Sequence, residues 1–161
     1  MCYNDGEFYS QEYWMKIIAH RGNITGPQPA FENTPNYILD AVYKGFEVEI
    51  DVWWKEGSFY LGHDGSDQYI PTNFLFNKNF WCHAKNLNAL ERLLRLDVHC
   101  FWHQTDNFAL TNRGYIWTYP GQTLVKNSIA VKPPPEITEE LRHCAGICSD
   151  RAAYYKEELI R

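Results

Sequence analysis

No apolar run in the 161-residue chain approaches the roughly eighteen residues needed to cross a bilayer. Met1-Cys2-Tyr3-Asn4-Asp5 also lacks the basic start and apolar stretch of a secretory leader. A cytoplasmic protein without stable membrane insertion is the expectation. Basic charge is in deficit: fifteen Lys and Arg face twenty Asp and Glu, a formal charge of −5. Such a balance does not suit a general polyanion binder, whose affinity comes from neutralising many phosphates, so no nucleic-acid partner is expected. Paired cysteines are missing as well. Cys2, Cys82, Cys100, Cys144 and Cys148 are odd in number, and four of them sit among apolar or aromatic neighbours, as free thiols in a reducing compartment do.

Repeats and low-complexity stretches are also absent, and Tyr119-Pro120-Gly121 and Pro133-Pro134-Pro135 read as turns between neighbouring strands rather than linkers. Residues 1–161 are therefore one domain. With 45 % hydrophobic and 16 % aromatic residues the chain has ample material for a core. A chain of this length buries roughly 70 % of the surface it exposes when unfolded, so it needs neither disulfides nor a structural metal.

Strands are expected at Lys16–His20, Phe46–Val52, Phe59–Gly62, Phe80–Lys85, Val98–His103, Tyr115–Tyr119, Ser128–Lys132 and Ala145–Ser149. Helices are expected after Asn33-Thr34-Pro35, ending at Gly45, and over Leu87–Leu96 and Pro135–His143. Strands alternating with helices favour a parallel sheet or barrel. A complete eight-unit barrel takes about 250 residues, so any barrel here is abbreviated. After Val98–His103 the chain runs almost directly into Tyr115–Tyr119, leaving about seven principal parallel strands.

Chemistry concentrates near these strands. Period-two alternation places Glu47, Glu49 and Asp51 on one face and Val48, Ile50 and Val52 on the other. Carboxylates crowded on an inner face repel unless a cation intervenes, and oxygen-rich clusters are what Mg²⁺ or Ca²⁺ require. Taken alone, the acidic face suits a solvated edge strand. Three neighbouring features shift the balance: Ile18-Ala19-His20-Arg21-Gly22 ends a strand in an imidazole and a guanidinium, Gly62-His63-Asp64 sets a histidine beside an acid, and Cys82-His83-Ala84-Lys85 puts His83 and Lys85 on one side of a strand. Two histidines that trade a proton make an acid/base pair. His83 is a candidate third metal ligand, and Lys85 a charge partner for a carboxylate or phosphate.

His20-Arg21-Gly22, Glu32-Asn33-Thr34-Pro35, Glu49-Ile50-Asp51-Val52 and Gly62-His63-Asp64, in this order, resemble the opening half of a glycerophosphodiester phosphodiesterase. His83-Ala84-Lys85, Tyr115-Ile116-Trp117-Thr118 and Gly146-Ile147-Cys148-Ser149-Asp150 resemble later strands of that family more weakly. The resemblance implies a phospholipase-C-like, abbreviated TIM-type barrel with a divalent cation at its mouth. Glu49 and Asp51 would hold the metal. His20 and His63 would be the acid/base pair, and Arg21 would hold a phosphate oxygen. Lys85 would contact the substrate, a small phosphodiester cleaved to an alcohol and a phosphomonoester, and Trp117 would stack on its alcohol portion or simply fill the barrel.

The chain departs from the family pattern where a third carboxylate ligand is usual and His83 stands instead. Imidazole favours Mn²⁺ or Zn²⁺ over the Mg²⁺ or Ca²⁺ that the resemblance implies. Glu47 is an extra acid, suited either to replace that ligand or to pair with a lysine deeper in the barrel. His99 and His103 share a strand face without the closed Cys/His spacing of structural zinc, and His103 stands where it could touch substrate. Two other functions compete: a phospholipase-D-like lyase releasing a cyclic phosphate, and a phosphate-binding relative without turnover. The odd strand count leaves a wall that a second copy could close, a homo-oligomer the residues neither require nor exclude.

Overall fold

The computed structural model describes residues 15–160, so Cys2 and the Met1–Asp5 start lie outside the described residues. In chain order the strands are β1 (Lys16–His20), β2 (Glu47–Lys55), β3 (Ser58–Leu61), β4 (Gln68–Ile70), β5 (Phe80–Ala84), β6 (Cys100–Trp102), β7 (Phe108–Leu110), β8 (Ile116–Thr118), β9 (Ser128–Val131) and β10 (Gly146–Ser149). The helices are α1 (Pro35–Tyr43), α2 (Leu87–Arg95), α3 (Glu139–His143) and α4 (Ala152–Leu159). Seven strands run parallel in the order β6-β5-β2-β1-β10-β9-β8, a curled sheet that forms a partial barrel. β3, β4 and β7 pair antiparallel at its margins.

Strand alternation sorts the apolar side chains into two layers. Ile17, Val48, Ile50 and Val52 point outward and pack with Ile38 and Ala41 of α1 and Leu93 of α2. Ile18, Trp81, Phe101, Trp117, Ile129 and Cys148 point inward and fill the curve of the sheet. The four described cysteines are buried free thiols, as their apolar surroundings suggested.

β2 is longer than its pattern indicated because it serves two partners. Val48–Val52 pair with β5, and Val52–Lys55 turn back through Glu56-Gly57 onto β3. Both turn residues have positive φ, 50° and 80°, the conformation a tight hairpin needs. The expected Pro135–His143 helix is shorter, beginning at Glu139 with the Thr138 hydroxyl accepting from Leu141 N at 3.2 Å. Its first residues are drawn out instead because tyrosine hydroxyls of α4 bind the carbonyls of Pro133 and Pro135. Between β6 and β8 the chain forms the short β7 and no helix. The Asn112 side chain fastens this abbreviated stretch to β6, accepting from Cys100 N at 2.9 Å and donating to Val98 O at 2.8 Å.

Candidate active site

Register decides which side chains meet. β1 and β2 set His20 opposite Glu49, and β2 and β5 set Asp51 opposite His83. Neighbouring strands stand about 4.8 Å apart, so inward side chains at matched positions touch at the carboxyl ends of the parallel strands. His83 Nδ1 stands 3.0 Å from Asp51 Oδ1 and 3.8 Å from Glu49 Oε1. One donor atom from each of Glu49, Asp51 and His83 lies within 4.8 Å of the others, the one such group among the described residues able to hold a metal ion. Ligands of a small divalent ion bound at about 2.1 Å stand ~3 Å apart at adjacent vertices, so two carboxylates and an imidazole at these separations fit one ion. A divalent cation of unspecified identity suits this group.

The two carboxylates titrate in opposite directions. Burial, reinforced by the charge of Asp51, pushes Glu49 well above the usual carboxylate range. Burial would raise Asp51 too, but the His83 hydrogen bond and the charges of Lys85 and Arg21 drive it well below that range. Lys85 Nζ is 3.5 Å from Asp51 Oδ1, and Arg21 Nε lies 3.2 Å from Asp51 Oδ2. Asn33 clamps Asp51 from behind, donating to Oδ2 at 2.9 Å and accepting from its backbone N at 3.0 Å. Two close carboxyls in one buried site are expected to part in this way, because like charges at short range disfavour ionising both.

His20 is oriented by a third acid. Its Nδ1 lies 2.6 Å from Asp150 Oδ1, and its Nε2 faces Glu49 at 3.8 Å. Burial would raise Asp150, yet hydrogen bonds with His20, Asn23 and Lys132 hold it well below the usual range. An ionised carboxylate only accepts, so Nδ1 carries the proton and Nε2 is left as a base. Burial lowers the His20 pKa despite Asp150, which favours the neutral imidazole.

A cavity of about 230 Å³ gathers His20, Arg21, Glu49, Asp51, His63 and His83, with Trp117 in its floor. Every residue expected to work at the site except Lys85 lines it, and Lys85 reaches in through Asp51. His63 stands at the mouth, 43 % exposed, with Nδ1 2.7 Å from Asp64. Trp117 is 2 % exposed and packs on Phe101 with ring centroids 4.6 Å apart. Glu47 stays out of the cavity, paired with Lys16 at 2.8 Å, which is the lysine option its position had suggested. His99 turns toward Trp81 and Thr111, whereas His103 borders the cavity on the Tyr119 ring, its Nδ1 buried without a hydrogen-bond partner.

Asp150, Lys132, Asn23 and Asn33 escaped the reading of the sequence as site residues, although Asp150 and Asn33 stand inside quoted motifs. Asp150 had a usable signal: a carboxylate directly after the last parallel strand, one position beyond the Ala19–Ser149 pair and therefore beside His20. Glu32 was visible in its motif without a role, and it receives Arg21 Nη1 at 3.1 Å and Asn23 Nδ2 at 2.8 Å. No family model, curated protein or solved structure matches the chain.

Proposed function

We propose that the chain is a metal-dependent phosphodiesterase of the glycerophosphodiester type, built on an abbreviated TIM-type barrel. The observation that carries this reading is the single cavity joining His20, Arg21 and His63 to the Glu49, Asp51 and His83 group. Active sites at the carboxyl ends of parallel barrel strands follow the same geometry.

A divalent ion held by Glu49, Asp51 and His83 would supply positive charge to the phosphoryl oxygens, where negative charge grows in the transition state. Arg21 adds a guanidinium aimed by Glu32, suited to a non-bridging oxygen. His20 Nε2 takes the proton of the attacking hydroxyl or water as the new P–O bond forms. The P–O bond to the alcohol arm then breaks, and His63 gives that oxygen a proton. An alcohol and a phosphomonoester result, directly or through a cyclic phosphate. Asp150 stabilises the imidazolium that His20 becomes, and acid/base catalysis of this kind contributes about 10²- to 10⁴-fold.

The decisive experiment assays glycerophosphodiesters and a chromogenic phosphodiester under Mg²⁺, Ca²⁺, Mn²⁺ and Zn²⁺. Turnover that requires a divalent ion and disappears in His20→Ala and Glu49→Ala is the expected result. Turnover surviving both substitutions, or none under any ion, overturns the reading. A cyclic phosphate that accumulates without further hydrolysis assigns the site to a lyase instead.

A further inference from the structure

A second cavity, larger than the one that holds the candidate site, lies beside it. It is an open groove of about 680 Å³. Ile24 and Pro27 after β1, Pro133 and Pro135 after β9, and Ala153 and Tyr154 of α4 form its walls. Lys132 lines both this groove and the catalytic cavity, so the two are neighbours across one side chain. Asp150, which orients His20, also faces the groove.

The junction is held in an unusual conformation. Lys132 has φ 43°, a left-handed backbone rare for a long side chain and further disfavoured before Pro133. Residues kept in such conformations cluster at functional sites, where surrounding contacts over-determine them. Here Lys132 N donates to Cys148 O at 2.7 Å and its Nζ pairs with Asp150 Oδ2 at 3.1 Å. The far wall is equally fixed. The Tyr155 hydroxyl reaches the Pro133 carbonyl at 2.8 Å, and Tyr154 donates to the Pro135 carbonyl at 2.8 Å. A pre-formed, largely apolar groove binds without first ordering its walls.

We propose that this groove receives the alcohol arm of the phosphodiester, and that the arm carries an extended apolar chain rather than being a small polar alcohol. The inference rests on the phosphodiesterase reading for the phosphate that anchors the chain. With phosphorus between His20 and His63, an arm directed past Lys132, which borders both cavities, would lie in the groove. Cavities of about 300–1,000 Å³ accommodate ligands far larger than glycerol, and apolar walls select against a bare polyol.

Isothermal titration of the whole chain with monoalkyl phosphates of two, four, six and eight carbons, with Mg²⁺ present, tests this. Binding is expected to tighten about fourfold for each added methylene. In Ala153→Leu, which fills the groove, that gain disappears while ethyl phosphate binds as before. Thr25→Trp obstructs the same groove from its exposed rim and gives the same result should the helix variant fold poorly. No gain with length in the unaltered protein, or an undiminished gain in the folded variants, overturns the assignment. Binding breaks no bond, so the two readings fail separately: a length-dependent affinity without turnover retains the groove and sinks the hydrolase, and turnover without length dependence does the reverse.

Discussion

Two ends of one inner face carry the same kinds of residue and resolve them differently. At the amino-terminal end Glu47 has both oxygens engaged, by Lys16 Nζ at 2.8 Å and by the Trp81 indole N–H at 2.6 Å. His99 lies against Trp81 with ring centroids 4.0 Å apart, and its Nε2 meets the Thr111 hydroxyl at 3.0 Å. At the carboxyl-terminal end, four residues along the same strand, Asp51 shares its pocket with a second buried acid, two cations and an imidazole. His103 leaves a buried ring nitrogen unbonded there. One end pairs its acid with a single cation and an indole, as structural networks do, and the other crowds two buried acids with a histidine into a group that could hold a metal ion. An acidic strand face is thus no evidence of a site until its partners are known.

Breaking the functional end should leave the fold standing. His20→Ala is expected to lower turnover of a phosphodiester by about 10²- to 10⁴-fold with little change in melting temperature, read by steady-state kinetics and calorimetry. Asp51→Asn removes one carboxylate of the Glu49, Asp51 and His83 group that could hold a cation. The unaltered protein should gain about 2.7 kcal/mol of stability at a divalent ion concentration 100 times its Kd, and the variant should gain almost none. An equal gain in both would place the ion elsewhere.

Disturbing the structural end should do the opposite. Burial holds the His99 pKa down to about 4 from 6.5, ahead of the charges of Arg113 and Lys16. The unfolded chain therefore takes up this proton first as pH falls. His99's contribution is intact above pH 6.5 and is lost between pH 6.5 and about 4. The loss amounts to about 2 kcal/mol after allowance for its partial exposure. His99→Asn should flatten that limb of the stability profile, and an unchanged slope would assign it to other groups. Glu47→Gln has the smallest effect, about 1 kcal/mol of stability, because the amide keeps one acceptor oxygen for the Trp81 indole and the Lys16 pair it gives up is part-exposed. Its cation affinity should match that of the unaltered protein. A loss of affinity would dissolve the contrast between the two ends.

Much of the frame was legible because it depends on local period. The seven parallel strands and the helices after Pro35 and Leu87 came from apolar spacing and breakers. β4 and β7 were invisible because three-residue strands at a margin exist only through hairpin pairing. Within the site, Glu49, Asp51 and His83 could be read because alternation forces them to one side. Lys132 and Asn23 could not, since a cation before a proline or an amide in a loop carries no period. Asn23 joins the site because it bridges Glu32 and Asp150, donating to each at 2.8 Å across more than a hundred residues.

Side-chain alternation and turn chemistry, which act over a few residues, by themselves determined that acids and imidazoles share one face of a parallel strand set. Which acid works and which is merely paired was decided by register and curl. These bring Lys16 to Glu47 and Asp150 to His20. A carboxyl's charge state depends on burial and neighbours within a few ångströms, and those neighbours come from distant parts of the chain.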